Sequence, residues 1–323
     1  MTHPSKTIFA CEPATGDLHE RTSSEANRVV AEKIGRFREI FIPYPRHIEF
    51  HSRCDYLRQL GRATRGQAQR GLRVLAPSGS GKTTAALAFV EAVNRELPPK
   101  STDRPVVHVS LSSATTVKRL FSSILRAFGD GFAERGTEET LRQRALTYFG
   151  HANTELLIID EVQHLNFRSG PKSDVTDSLK ALLDAGVVPI VFMGTEEAEG
   201  MFTRNLQLNG RLLPPCDYDP LRSTVEEERQ LFRGYWERLD QEIVSLGLMP
   251  EPTGLHHAEV VAALHTVTSG VVGRISRLTE AALDIALRRD ARRIELYDLA
   301  QATDRWALPL EFTSRNPFKG MQL

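Results

Sequence analysis

The run from Leu75 to Thr83, LAPSGSGKT, restricts the fold of this chain more than any other part of the sequence. It follows a short apolar stretch and opens a segment rich in Ala, Leu, Phe and Val, so it occupies the bend between a strand and a helix. Gly79 and Gly81 let the backbone approach an anion closely, and the helix N-terminus adds the positive end of its dipole. The run therefore predicts a phosphate-binding loop in an α/β fold.

The side chains of this loop suit a nucleoside triphosphate and a metal ion. Lys82 is expected to reach the β- and γ-phosphates of ATP, and the Thr83 hydroxyl to ligate Mg²⁺. The first glycine of the full motif is Ala76 here, which is a mild deviation because alanine is small. The alternative is a Gly/Ser loop that begins a helix without binding a ligand. The expected nucleotide contacts are Pro77, Ser78, Gly79, Ser80, Gly81, Lys82, Thr83 and Thr84.

A second motif, LLIIDE from Leu156 to Glu161, ends an apolar strand with two carboxylates. In an open parallel sheet the carboxyl ends of the strands face the ligand. Asp160 is expected to hold Mg²⁺ through water, and Glu161 to polarise the attacking water as a general base. A strand that ends in a solvated acidic pair is common, so this motif indicates ATP hydrolysis only in combination with the phosphate loop.

Strand and helix patterns alternate before Pro220, and only helical patterns follow it. Strands that are apolar on both faces imply a parallel sheet sandwiched by helices. The fold class is therefore α/β, followed by a small all-α domain. Apolar runs favour strands at 72–75, 105–111, 156–159 and 187–193. Helices are expected at 25–38, 48–60, 83–97, 116–128, 138–148, 174–184, 225–246, 256–268, 271–289 and 295–306.

Composition excludes several other classes of protein. The chain has 41 Lys and Arg against 41 Asp and Glu, so it does not hold polyanions by bulk charge. Cys11, Cys54 and Cys216 are far apart, which predicts neither a disulfide framework nor a zinc site. The N-terminus lacks the apolar run of a signal peptide and the longest apolar stretches are strand-sized, so we expect a cytoplasmic protein without membrane contact.

The two motifs and the helical region behind them resemble the AAA+ ATPases, and other segments narrow the resemblance. Pro45-Arg46-His47 before a helix, DEVQHL from Asp160 to Leu165 and VFMGTEEA from Val191 to Ala198 are similar to the TniB/TnsC transposition regulators. The resemblance implies a P-loop AAA+ domain with a helical lid. The implied division is a flexible N-terminal segment with a short helix at 1–44, the AAA+ domain at 45–221, the lid at 222–310 and a C-terminal tail at 311–323.

This resemblance also implies a function. It implies a regulator that binds ATP and Mg²⁺, oligomerises on double-stranded DNA as a hexameric ring or helical filament, recruits or activates a transposase, and disassembles on ATP hydrolysis. A target-selector protein is a further implied partner. Two alternatives are a helicase-loader or replication-initiation ATPase, and a nucleotide-switched scaffold without significant turnover. The former often carries a helix-turn-helix domain after the lid, and the segment after Arg289 is too short for one.

Several roles outside the two motifs follow from the resemblance alone. Thr195 matches the first sensor position near the γ-phosphate, and its alternative role is to cap the next helix. Arg211 is the best match to the arginine that reaches the ATP of a neighbouring subunit, with Arg204 second. Arg274 matches the second sensor on the lid, with Arg277 next. Each arginine has the alternative of being a solvated surface residue.

Basic residues are concentrated in two places that suit a phosphate backbone. The segment from Arg21 to Arg73 has twelve Lys and Arg against five Asp and Glu. After the second strand, Thr116, Lys118 and Arg119 combine a hydroxyl with two cations at the start of a helix, and in oligomeric AAA+ DNA binders this region faces the central channel. Such groups contact phosphates without reading bases. The alternatives are a solvated basic face and a helix cap followed by exposed charge.

Overall fold

The computed structural model describes residues 16–112, 115–165 and 175–321, with the side chains of residues 16–23 excepted. Its sheet has four strands, β1 (Gly71–Leu75), β2 (Val106–Ser110), β3 (Leu156–Asp160) and β4 (Ile190–Gly194). All neighbouring strands are parallel, and their order is β1-β4-β3-β2. The parallel sheet predicted from the apolar runs is therefore confirmed.

Helices account for most of the remaining chain. They are α1 (Gly16–Arg38), α2 (Pro45–Ala63), α3 (Lys82–Arg95), α4 (Val117–Phe128), α5 (Glu138–His151), α6 (Val175–Asp184), α7 (Glu199–Arg204), α8 (Leu206–Asn209), α9 (Glu226–Ser245), α10 (Ala258–Thr268), α11 (Val272–Arg288) and α12 (Leu296–Ala302). Short 3₁₀ turns at Val162–His164 and Glu196–Ala198 follow β3 and β4. The strand and helix alternation up to β4 and the all-helical region after Pro220 agree with the sequence analysis.

Both faces of the sheet are buried, and β3 shows this most clearly. Leu157 and Ile159 belong to a hydrophobic cluster that also contains the buried residues of α4, α5 and α6. Leu156 and Ile158 belong to a second cluster with buried residues of α2 and α3. Successive side chains of a strand point to opposite faces, so a strand with helices on both sides must be apolar throughout. This is why the near-continuous apolar runs marked the strands correctly.

The C-terminal helices form a third cluster, and the N-terminal segment contributes to it. Trp236 of α9 is fully buried there, and its Nε1 donates to the Leu255 carbonyl at 2.9 Å. Phe37 and Ile42, which the sequence assigns to a flexible segment, are buried in the same cluster, because they complete the apolar core of the lid helices. The helix α1 begins at Gly16, nine residues before the predicted start. Phe318, in the predicted C-terminal tail, is also buried in this cluster.

Two negative expectations concern metal sites and membranes. Within the described ranges no group of three or more His, Cys, Asp and Glu residues is arranged to hold a metal ion. Cys54 and Cys216 are free and buried, whereas Cys11 lies outside the described residues. In that same part of the chain, no helix combines the length and the apolarity that crossing a bilayer requires.

Candidate nucleotide-binding and hydrolysis site

The strand order brings the predicted site residues to one edge of the sheet. Because β4 lies between β1 and β3, Thr195 after β4 is placed between the phosphate loop after β1 and Asp160 at the end of β3. All three strands run in the same direction, so their carboxyl ends meet at that edge. This is the arrangement that the sequence analysis expected for a γ-phosphate site.

The phosphate loop has the backbone conformation that its glycines allow. Gly79 and Gly81 have φ angles of 78° and 87°, in the left-handed region that side chains disfavour. Lys82 is the first residue of α3 and is only 5% exposed. Ser80 is buried too, and its hydroxyl has no hydrogen-bond partner within the described residues. A buried polar atom without a partner is costly, so its place in this loop suits an anionic ligand.

Thr83 and Asp160, the two expected magnesium ligands, are in direct contact. The Thr83 hydroxyl donates to Asp160 Oδ2 at 2.5 Å, and the backbone N–H of Glu161 donates to Asp160 Oδ1 at 2.8 Å. Burial alone would raise the pKa of Asp160, but His108, whose Nε2 lies 3.5 Å away, and the two hydrogen bonds outweigh it and leave the pKa below its usual value. Asp160 is therefore an anion, as a magnesium site requires.

These residues fit ATP and Mg²⁺. Mg²⁺ in nucleotide sites takes one or two protein ligands and relies on phosphate oxygens and water for the rest. The Thr83 hydroxyl and the ionised Asp160 carboxylate match that requirement, because they are in contact with each other at the start of α3. The ion supplies charge neutralisation on the phosphates when it is bound.

Thr195 and Glu161 are joined by a residue that the sequence analysis did not assign. Gln163, in the 3₁₀ turn after β3, donates a hydrogen bond to Glu161 Oε2 and accepts one from the Thr195 backbone N–H at 3.1 Å. The Thr195 hydroxyl is buried, has no hydrogen-bond partner within the described residues, and does not cap the following turn. The side-chain hydrogen bond that Thr195 would make as a helix cap is therefore not formed.

The lid lies directly on the phosphate loop through the first turn of α11. A Cβ atom added to Gly273 would lie 2.3 Å from the Gly79 carbonyl oxygen and 2.7 Å from the Gly81 nitrogen. Arg274 Nε donates to the Ser78 carbonyl at 3.2 Å, and the guanidinium stands 4.0 Å from the centroid of the Phe312 ring. The expected second-sensor residue is therefore beside the phosphate loop, with Gly273 allowing the approach.

We predict that Gly273→Ala weakens nucleotide binding. The new methyl group overlaps the loop backbone, and overpacking of this kind costs about 1–3 kcal/mol, or roughly a tenfold to hundredfold loss of affinity. Titration with a fluorescent ATP analogue measures the effect. Gly234→Ala in α9 is the matched control, because a Cβ there meets nothing within 4 Å. Wild-type affinity in Gly273→Ala would contradict the close contact between lid and loop.

A cavity of about 330 Å³ opens between the phosphate loop, the lid and the segment between α1 and α2, and it was not predicted. Its lining includes Gly81, Tyr235, Arg277 and His47. His47 is 4% exposed, and burial lowers its pKa to about 4, so the ring is neutral at physiological pH. The sequence marked Pro45-Arg46-His47 only as part of a resemblance, because nothing local indicates that this segment meets the lid.

The two candidate trans-acting arginines have different surroundings. Arg211 Nε donates to Asp184 Oδ1 at 2.8 Å, so it is paired within its own chain. Arg204, at the end of α7, is exposed and makes no hydrogen bond or ion pair to the described residues. Leu206, two residues further on, is 76% exposed.

The expected DNA contacts lie together on one polar groove of about 490 Å³. Thr116 caps α4 by accepting from the Arg119 backbone N–H at 3.4 Å, and Lys118 lies in the same turn. Groove residues that the sequence did not assign are Ser112, Ser122, Ser123, Arg126 and Glu134. The groove therefore combines hydroxyls, the cations Lys118 and Arg119 and an Arg126–Glu134 ion pair, and Thr116 also caps α4.

A backbone contact joins this groove to the hydrolysis site. The Thr115 N–H donates to the His164 carbonyl at 2.9 Å, and Thr115 bridges Leu165 in parallel fashion. His164 ends the turn that carries Gln163, and its own N–H donates to the Glu161 carbonyl at 2.9 Å. Two successive backbone hydrogen bonds, through His164, thus connect Thr115, which lies just before α4, to Glu161.

The sheet order, the phosphate loop, the carboxylate pair at the end of β3 and the helical lid define an AAA+ ATPase fold. Solved structures with this fold include the ORC2 protein of Aeropyrum pernix in its ADPNP–ADP complexes, at 13% identity and a TM-score of 0.58 over 83% of this chain and 70% of that one. Cdc6p from Pyrobaculum aerophilum matches at 13% identity and a TM-score of 0.60, over 83% and 70%. The ORC1 protein of Aeropyrum pernix matches at 17% and 0.59, over 82% and 66%. At these identities the likeness concerns the fold alone.

Sequence comparison is more specific. The family model of the bacterial TniB protein matches residues 36–215, which is more than half of the chain. No curated protein matches the sequence significantly. The chain belongs to the TniB family, and the resemblance proposed from the PRH, DEVQH and MGT segments is confirmed.

Proposed function

We propose that this protein is a DNA-dependent AAA+ ATPase of DNA transposition. With ATP bound it assembles on double-stranded DNA, recruits or activates a transposase, and disassembles when ATP is hydrolysed. Membership in the TniB family supports the pathway. The observation that carries the DNA dependence is the Thr115–His164 hydrogen bond, which links the cationic groove to the turn beside Glu161.

The geometry of the site supports the following roles for its residues. The loop N–H groups and Lys82 bind the phosphates, and Thr83 with Asp160 holds Mg²⁺. Glu161 takes a proton from the attacking water, and the buried Thr195 hydroxyl faces the γ-phosphate. Positioning and electrostatic stabilisation supply most of the rate in phosphoryl transfer, so small shifts of Glu161 or the lid have large effects on turnover.

Charge distribution supports assembly on DNA rather than strong binding by one subunit. The chain as a whole has a formal net charge of zero, so copies stack with little repulsion and the long-range attraction to DNA is weak. Lys118 and Arg119 supply local cations at the groove, and Arg126 is paired with Glu134. Repeating such a groove along an oligomer multiplies weak contacts through effective concentration. One structural relative, the ORC1 protein of Aeropyrum pernix, was solved in complex with DNA.

We predict that the double variant Lys118→Ala/Arg119→Ala loses DNA-stimulated ATP hydrolysis while its DNA-independent rate is retained. Two phosphate contacts fewer should reduce the slope of log affinity against log salt by about 2 per subunit. ATPase assays with and without duplex DNA, and electron microscopy of protein with DNA and non-hydrolysable ATP, measure stimulation and assembly.

The matched control is Arg229→Ala/Arg233→Ala, which removes the same charge from the exposed face of α9. It should assemble and respond to DNA like the wild type. If the wild-type protein forms no DNA-dependent assembly with non-hydrolysable ATP, the proposed function is wrong. Recovery of a replicative helicase instead of a transposase as the stable partner would favour the helicase-loader alternative.

A further inference from the structure

Both polar atoms of the Gln163 side-chain amide form hydrogen bonds. Its nitrogen donates to Glu161 Oε2, and its oxygen accepts from the Thr195 N–H at 3.1 Å. Amide oxygen and nitrogen look alike in shape, but only this orientation satisfies both neighbours, because a flipped amide would set oxygen against carboxylate and N–H against N–H. The two partners therefore fix the direction of the Gln163 amide.

The backbone around Gln163 is shaped to admit it. A Cβ atom added to Gly194 would lie 2.7 Å from Gln163 Oε1 and 2.8 Å from Val162 Cγ2, so only glycine at the end of β4 leaves room for this contact. Glu161 has a φ angle of 62°, in the left-handed region that is costly for a residue with a side chain. Val162 is fully buried and anchors the turn. Such strain persists only where surrounding contacts hold the backbone in place.

We propose that Gln163 is a positioning residue for Glu161. It fixes the Glu161 carboxylate relative to Thr195, so that the residue that activates water and the residue that faces the γ-phosphate keep one geometry. The inference rests on the proposed function, because it takes Glu161 as the general base. In this role Gln163 acts only through the Glu161 carboxylate that it holds.

Gln163→Ala is expected to lower kcat for ATP by about 100-fold, since a misplacement of about 1 Å in a reacting group has an effect of that size. ATP affinity and KM should stay at wild-type values, because the phosphate loop, Thr83 and Asp160 are untouched. Single-turnover hydrolysis measures the catalytic step, and equilibrium binding of an ATP analogue measures affinity, so the two assays separate an effect on kcat from an effect on binding. The matched control is Gln143→Ala on α5, where an exposed glutamine makes the same amide-to-carboxylate hydrogen bond to Glu139 at 2.8 Å.

Two further variants test the contact. Gly194→Ala should also lower kcat, because its methyl group would lie 2.7 Å from Gln163 Oε1 and 2.8 Å from Val162 Cγ2 and so displaces the Gln163 amide and crowds the turn that carries it. In a protein that already carries Glu161→Gln, adding Gln163→Ala should produce no further loss, since residues that act as one unit are not additive.

The outcomes separate this inference from the proposed function. Wild-type kcat in Gln163→Ala, while Glu161→Gln is impaired, overturns the role of Gln163 and leaves the ATPase intact. A parallel loss of ATP affinity, or a full additional loss on the Glu161→Gln background, also overturns it, because either result indicates a structural role. If the wild-type protein does not hydrolyse ATP under any condition, the proposed function and this inference are both wrong.

Discussion

Glu161→Gln is expected to lower ATP hydrolysis by about 10²–10⁴-fold, which is the usual contribution of a positioned general base. Glutamine keeps the size of the side chain and cannot accept the proton of the attacking water. ATP binding should be retained, because the phosphate loop and the Thr83–Asp160 contact are unchanged. The measurement is single-turnover hydrolysis beside equilibrium binding of an ATP analogue.

The same variant decides between hydrolysis-driven disassembly and a nucleotide-switched scaffold. If hydrolysis releases DNA, complexes of Glu161→Gln formed with ATP should persist far longer than those of the wild type. Glu259→Gln, an exposed carboxylate in α10, serves as the control for loss of one negative charge. Equal dissociation rates for wild type and Glu161→Gln would mean that release needs no hydrolysis, and the scaffold alternative would then be correct.

Local patterns in the sequence were sufficient for the fold and for the centre of the site. Each strand is apolar on both faces because helices cover both sides, so an apolar run is enough to identify it. The phosphate loop and the Asp160-Glu161 pair are defined by neighbours within a few residues, and backbone geometry alone brings their strands to one edge. The structure accordingly places Thr83 against Asp160, as the two motifs predict.

Such local patterns could not predict the contacts between distant parts of the chain. Gly273 looks like an ordinary glycine near a helix start, and its importance appears only where the lid meets the Gly79 carbonyl. His47 lines a cavity because α1, the phosphate loop and the lid converge on it, and no local period encodes that convergence. The extra length of α1 before Glu25 has no such explanation, because residues 24–29 are exposed.

The choice between Arg204 and Arg211 also depends on such long-range contacts. Sequence resemblance favours Arg211, but its guanidinium already has a partner, Asp184, within its own chain. A residue that reaches into a neighbouring site must be exposed and free to extend, and Arg204 meets this condition among the described residues. We therefore propose Arg204 as the arginine that acts on the neighbouring subunit.

Arg204→Ala is expected to lower hydrolysis in the assembled state by about 10³–10⁵-fold, the range for an arginine supplied in trans to a phosphoryl-transfer site. Arg211→Ala should have a small effect, because it removes a half-exposed ion pair of the kind that contributes little. Mixing Arg204→Ala with Glu161→Gln provides the decisive measurement. Each protein alone is inactive, yet a mixed assembly pairs the intact Glu161 of one subunit with the intact Arg204 of another, so activity should return. Failure of the mixture to recover would mean that Arg204 does not act on the neighbouring subunit, and a larger loss in Arg211→Ala would assign the role to Arg211.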